Sequence, residues 1–313
     1  MREPSSTGTV DFDGHRTWYR VTGELDPAAP AAPLVVVHGG PGAAHDYCLA
    51  MTSLAREGRA VVHYDQLGCG RSTHLPDADP GYWSVELFVR ELRTVVDALG
   101  VGERFHLLGQ SWGGMLAPEF LLAGRSSRDG AGALSLTIAD SPASMALWLD
   151  AAATLRSGLP PEVQDTLTRH EEAGSTNSAE YLAAMEVFYA RHVCRVQPTP
   201  AEVAATFAQI EQDPTVYHTM NGPSEFHVVG SLRDWTVVDR LPGIAVPTLV
   251  LAGAHDEAMP ATWAPFVERI PDVRSHVFAE SSHMPHVEEN EAFTAVVDAF
   301  LRDHDAPNPR GRA

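Results

Sequence analysis

Gly109-Gln110-Ser111-Trp112-Gly113 is a G-x-S-x-G pentapeptide, and it lies where an apolar, strand-like run gives way to a helix-like one. A serine there has small residues on both sides of a sharp turn. Its hydroxyl is then held clear at the head of a helix whose N-terminal dipole favours developing negative charge, the arrangement of an acyl-transfer nucleophile. His38-Gly39-Gly40-Pro41-Gly42 follows another apolar run and offers the complementary part. Attack on a carbonyl makes an oxyanion, and backbone N–H donors fixed about 3 Å from it lower the barrier by a few kcal/mol each. The expected donors are the N–H groups of Trp112 and Gly40, with Gly39 the neighbouring candidate.

A serine nucleophile needs a base, and the base needs an orienting acid. The run Thr248 to Ala252 leads into Gly253-Ala254-His255-Asp256-Glu257, which places Asp256 at a strand's carboxyl end. The run Ser275 to Phe278 leads into Ser281-Ser282-His283, so the chain order is Ser111, Asp256, His283. His283 is the expected proton acceptor for Ser111, and Asp256 the carboxylate that fixes its tautomer. The chain has 15 histidines, so no single one is persuasive alone. His286, three residues on, is the nearest rival.

Short apolar runs carry these residues: Leu34 to Val37, Ala60 to Tyr64, Phe105 to Leu108 and Leu134 to Ala139. Helical patterns separate them, such as Phe88, Leu92, Val95 and Leu99 after an N-cap at Ser84 with a stop at Gly100. Buried strands alternating with helices predict a mostly parallel central sheet flanked by helices, an α/β class. After Pro142 the rhythm changes. Segments such as Pro161 to His170, Ser178 to Arg195 and Pro200 to Gln212 are helical and strand-poor. Residues 1–141 and 236–313 are therefore read as the α/β core and 142–235 as an inserted helical cap. Residues 303 to 313 read as a frayed polar tail.

Composition narrows the chemistry. The 313 residues include 22 Lys plus Arg, and all 22 are arginine. Lysine Schiff bases, lysine-anchored pyridoxal phosphate and a Walker A lysine are thereby excluded. The formal charge of −19 argues against nucleic acid and anionic membranes as partners. Cys48, Cys69 and Cys194 are widely spaced and form no metal knuckle or disulfide framework. With a polar start at Met1 to Val10 and no long apolar span, the expected location is cytoplasmic.

Together, HGGPG at 38 to 42, YDQLGCGRS at 64 to 72, GQSWGG at 109 to 114 and SHMPHVEE at 282 to 289 resemble the prolyl iminopeptidase family of α/β-hydrolases. The resemblance runs from the first of these strands to the last helix and is weakest in the cap. It implies the α/β-hydrolase fold and removal of an N-terminal residue, often proline, by a serine triad with no metal or cofactor. By position, Ser111, Asp256 and His283 match the triad, and Gly40 and Trp112 the oxyanion hole. The segment Asn221-Gly222-Pro223-Ser224-Glu225-Phe226 is similar to NGPxEF of the branch typified by the tricorn-interacting aminopeptidase, and Glu257 follows the acid as it does there. In that branch both glutamates bind the substrate's free α-ammonium.

The expected function is that of a metal-independent serine aminopeptidase acting on a small peptide or aminoacyl substrate with a free amino terminus, through an acyl-enzyme. The same residues would serve an amino-acid amidase or aminoacyl esterase working on a specialised metabolite. A non-catalytic ligand-binding scaffold of the same fold is the alternative from another class.

Overall fold

The runs LVVV, VVHY and FHLLGQ are buried at every position. A strand covered on both faces has no solvent side to mark with charge, which is why these runs show no alternation. The computed structural model describes residues 2–56, 58–124 and 132–305. Its strands are β1 (Ser6–Phe12), β2 (His15–Thr22), β3 (Leu34–Val37), β4 (Val61–Tyr64), β5 (Phe105–Gln110), β6 (Ala133–Ala139), β7 (Thr248–Gly253) and β8 (Val273–Phe278). They form one sheet in the order β1-β2-β4-β3-β5-β6-β7-β8. From β4 to β8 every pairing is parallel, and β2 joins both neighbours antiparallel. The expected α/β class and mostly parallel sheet are present.

The hairpin β1–β2 is not anticipated by the apolar runs, because its pattern alternates and it lies at the sheet's edge. A local signal was available: Asp13-Gly14 joins two alternating segments, and both residues take positive φ, 47° and 79°, as a tight hairpin turn requires. At the opposite edge β8 begins two residues earlier than expected and exposes most of its length.

Helix α1 (Val85–Ala98) starts where the sequence places it, with Ser84 Oγ accepting from Leu87 N at 3.2 Å. It buries Phe88, Leu92 and Val95 against the sheet. Helix α2 (Trp112–Ala123) follows β5 directly and is buried along nearly its whole length. Between β6 and β7 the described elements are helical: α3 (Met145–Ser157), α4 (Pro161–Glu172), α5 (Ala179–His192), α6 (Ala201–Gln212), α7 (Thr215–Met220) and a 3-10 turn at Val238–Gly243. Helices α8 (Pro260–Arg269), α9 (Pro285–Glu288) and α10 (Asn290–Asp303) complete the chain.

Residues 303–305 of the tail expected from residue 303 are held by the fold. Helix α10 reaches Asp303, and Asp305 is tied to the core by Arg59 Nη2 at 2.9 Å and by the N–H of Ala32 at 2.8 Å. Residues 306–313 of that expected tail lie outside the described residues. Among the described residues no helix is long and apolar enough to cross a membrane.

Candidate active site

At the junction of β5 and α2, Ser111 has φ 55° and ψ −122°, a backbone state that side chains rarely adopt and that local packing must hold. The flanking glycines permit it. A Cβ at Gly109 would stand 2.0 Å from Gly113 O, and one at Gly113 would stand 2.1 Å from Val37 O. The spacing of the pentapeptide thus records two backbone contacts, one inside the turn and one to the end of β3.

The glycines after β3 have separate tasks. The N–H of Gly39 donates to Tyr47 Oη at 2.6 Å, which engages the neighbouring candidate donor elsewhere. Gly40 has φ 109°, and its N–H enters no hydrogen bond among the described residues. Trp112 is the first residue of α2, so its N–H has no acceptor within the helix. Gln66 ties the two halves together: its Oε1 accepts from Trp112 Nε1 at 2.9 Å, while its Nε2 donates to His38 O at 3.0 Å. The N–H of Gln66 donates to His38 Nε2 at 3.0 Å, so the His38 proton lies on Nδ1, 2.9 Å from Gly39 O. Burial pushes the His38 ring down to about 4, and the ring is a neutral strut.

The segment YDQLGCGRS is the brace behind this loop. Asp65 accepts from the N–H of His45 at 2.8 Å, from His45 Nδ1 at 2.8 Å and from the N–H of Arg71 at 2.9 Å. The Arg71 guanidinium lies 4.7 Å over Trp18, and Cys69 is buried beside His38. These residues support the site without facing its cavity.

Asp256 and His283 leave adjacent parallel strands, β7 and β8, and meet: His283 Nδ1 is 2.7 Å from Asp256 Oδ1, which also accepts from the N–H of Ala258 at 2.8 Å. The loop carrying His283 is fixed by Glu288, whose Oε1 accepts from Ser282 N at 3.0 Å, Ser282 Oγ at 2.7 Å and Met284 N at 3.2 Å. Burial disfavours the His283 imidazolium, but the charge and hydrogen bond of Asp256, helped by Glu225 and Glu288, outweigh it and hold the ring above its ordinary pKa. Ser111 and His283 line one narrow cavity with Gly40, Gln110, Tyr217 and Glu225. His286, the rival, is buried against Tyr47 and Phe293 with both ring nitrogens unpartnered among the described residues, and burial pushes it down to about 3.

Glu225 and Glu257 converge on the same place from different segments. Glu257 Oε1 is buried, has no hydrogen-bond partner among the described residues and lies 3.9 Å from His283 Nε2. Glu225 Oε1 accepts from Tyr217 Oη at 2.7 Å. Trp148 Nε1 donates to Glu225 O at 2.7 Å and the N–H of Glu225 donates to Tyr189 Oη at 3.3 Å, so its backbone is held on both sides. Burial raises the pKa of both carboxyls, and the neighbouring charges of Glu225 and Asp256 raise Glu257 further. Such a pair favours a cation between its members.

Of the aromatic residues after β6, Trp148 and Tyr189 hold Glu225, whereas Phe188 packs on Phe226 and Trp235 donates to Glu119. Trp83 stacks on Phe88 in the core. Sequence reasoning missed Gln110, Tyr47 and Gln66. Gln110 is the x before the serine, Tyr47 Oη donates to its Oε1 at 2.5 Å, and its Nε2 donates to His283 O at 2.9 Å. Only Gln66 and Gln110 carried a signal, as polar residues inside glycine-rich segments. Among the described residues no three His, Cys, Asp or Glu side chains are grouped to hold a metal ion.

Residues 32–290 match the family described as alpha/beta hydrolase fold. A proline iminopeptidase of Heyndrickxia coagulans is 36% identical over 300 residues, covering 94% of this chain and 98% of that protein. Among solved structures, a proline iminopeptidase of Mycobacterium smegmatis is 55% identical with a TM-score of 0.87, covering 96% of this chain and 99% of that one. The structure of VinJ is 53% identical with a TM-score of 0.93, covering 96% and 100%.

Proposed function

The chain belongs to the prolyl iminopeptidase family of α/β-hydrolases, and from that membership we propose how its residues divide the work of a serine aminopeptidase. Ser111 Oγ attacks the carbonyl of the substrate's first residue while His283 Nε2 takes its proton. Asp256 holds the imidazole in the tautomer that leaves Nε2 free and stabilises the imidazolium. The N–H groups of Gly40 and Trp112 receive the oxyanion. Collapse of the tetrahedral intermediate expels the amine with the proton from His283, and water, activated by the same ring, releases the acyl group.

The observation that carries the aminopeptidase reading is the convergence of two carboxylates beside His283: Glu225 lines the cavity, and Glu257, which feels the Glu225 charge, lies 3.9 Å from His283 Nε2. A substrate ammonium placed between them pairs both charges and sets the carbonyl two bonds away within reach of Ser111. A blocked amine leaves the pair uncompensated. Residues 142–235 act as a cap: they supply Glu225 with its holders Trp148, Tyr189 and Tyr217, and the carbonyl of His192 in α5 accepts from the N–H of Glu257 at 3.3 Å. The buried free thiols of Cys48, Cys69 and Cys194 suit a reducing cytoplasm.

A second reading, an amino-acid amidase or aminoacyl esterase, is favoured by one part of the cavity wall. That part is apolar, with Val193, Val203, Phe207, Ile210 and Met284, and it selects the leaving group only by shape. Hydrolysis of matched aminoacyl amides, esters and dipeptides, each with an N-acetylated control, tests both readings. Selective cleavage of the free-amine members is expected. Equal cleavage of blocked and free substrates would reduce the protein to a general serine hydrolase.

A further inference from the structure

Strand β6 lies between the serine strand β5 and the acid strand β7, and the residue that follows it at the sheet's carboxyl edge is Asp140. It is fully buried. Its N–H donates to Leu251 O at 2.8 Å, which anchors it to β7, and its φ of 53° is a conformation rarely adopted by a side-chain-bearing residue. A strained, buried carboxyl calls for a reason beyond packing.

Three oxygens point to one. Neither Oδ1 nor Oδ2 of Asp140 has a hydrogen-bond partner among the described residues as a carboxylate, and Asp256 Oδ2 is equally unpartnered, its Oδ1 being occupied by His283 and Ala258. The two carboxyls lie within hydrogen-bonding reach of each other, and the N–H of Gly253 faces Asp140. Two ionised carboxylates in contact in a buried site repel strongly, whereas one proton between them satisfies both. Burial comes first and the Asp256 charge second in raising the Asp140 carboxyl well above the usual carboxylate range, with Glu288 adding to them and the Gly253 N–H opposing.

We propose that Asp140 is a positioning residue behind the acid of the triad: its side-chain O–H donates to Asp256 Oδ2, fixing the carboxylate that orients His283. The inference rests on the triad reading above. His283 is turned by Asp256, and Asp256 is held from its far side by Asp140. The charged groups facing this chain are Glu288, next to Asp140 and the His283 loop, and Glu225 and Glu257 on the cavity side of His283.

Two substitutions separate this role from simple packing. Asp140→Asn keeps a donor towards Asp256 and tolerates the positive φ, so kcat should stay within about threefold and the pH profile should keep its shape. Asp140→Gly also accepts the backbone but deletes the donor; kcat should fall on the order of tenfold or more at unchanged KM, with the acid limb displaced. Equal losses in both variants, or no loss in the glycine variant, would overturn the proposal. Infrared difference spectra of wild type minus Asp140→Asn at neutral pH should show a protonated-carboxyl band, and its absence would also overturn it. That band does not depend on turnover, so a Ser111→Ala protein that stayed active would sink the triad reading while leaving the band in place.

Discussion

The side-chain amide of Gln110 donates to the backbone carbonyl of His283 at 2.9 Å across 173 positions of sequence. The residue immediately before Ser111 thereby holds the loop of His283, and its other end is held by Tyr47 Oη, which also receives the N–H of Gly39. One side chain sets the spacing of the serine turn, the glycine loop and the histidine loop. Gln110→Ala is expected to lower kcat on the order of ten to a hundredfold with little change in KM, because misplacement of a reacting group costs rate before it costs binding. Steady-state kinetics on one aminoacyl amide check this; a KM change at unaltered kcat would contradict it.

Ser111→Ala should remove turnover, with kcat down by on the order of 10⁴ to 10⁶, and leave the fold intact. Circular dichroism and a fluorophosphonate probe distinguish loss of the nucleophile from loss of structure. A clean preparation retaining more than a few per cent of activity would remove Ser111 from its assigned role.

Activity should rise with pH as His283 loses its proton. An unperturbed ring would place that limb near 6.5, but the charge of Asp256 outweighs burial here, so the limb in kcat/KM belongs above that value. His283→Ala should abolish the limb along with activity, whereas His286→Ala should keep it, since His286 is buried and neutral throughout this range. The reverse pattern would make His286 the base.

Glu225→Gln should weaken kcat/KM for aminoacyl substrates by about 2 kcal/mol or more, roughly thirtyfold, while hydrolysis of a small neutral ester barely changes. The comparison isolates the ammonium contact. Equal losses on both substrates would indicate a general defect in the packing of residues 142–235.

Glu91 offers a stability test away from the cavity. It is buried, its Oε1 accepts from Thr17 Oγ1 at 2.5 Å and Leu67 N at 2.8 Å, and its Oε2 has no partner among the described residues. Burial pushes its carboxyl up to about 8 from an ordinary 4.5. The folded chain keeps this proton where the unfolded chain has lost it, so the stabilisation is full below about 4.5 and drains as pH rises towards 8. Glu91→Gln cannot drain. Its Tm should gain on wild type between pH 5 and pH 8, by the equivalent of roughly 1 to 3 kcal/mol, and a constant difference across that range would refute the buried proton.

The sequence by itself determined the local parts of this protein. G-x-S-x-G is legible because its glycines answer backbone contacts within a few residues, as Gly109 and Gly113 show. The apolar runs are legible because strands buried on both faces cannot carry charge, and Asp256 is legible as a polar residue at the end of such a run, whereas His283 follows the exposed edge strand β8. Tertiary structure alone decided the rest. That His283 meets Asp256 while His286 turns into the core depends on the loop held by Glu288 and Gln110. That Gly39 is engaged by Tyr47, and that Gln66 bridges His38 to Trp112, follows from side chains brought together over tens of residues. Asp140 sits beside Asp256 only because β6 pairs with β7, across more than a hundred residues that the intervening helices fill. Spacing along a chain encodes contacts within a turn or a helix face, while contacts between strand ends are set by the order in which strands pair.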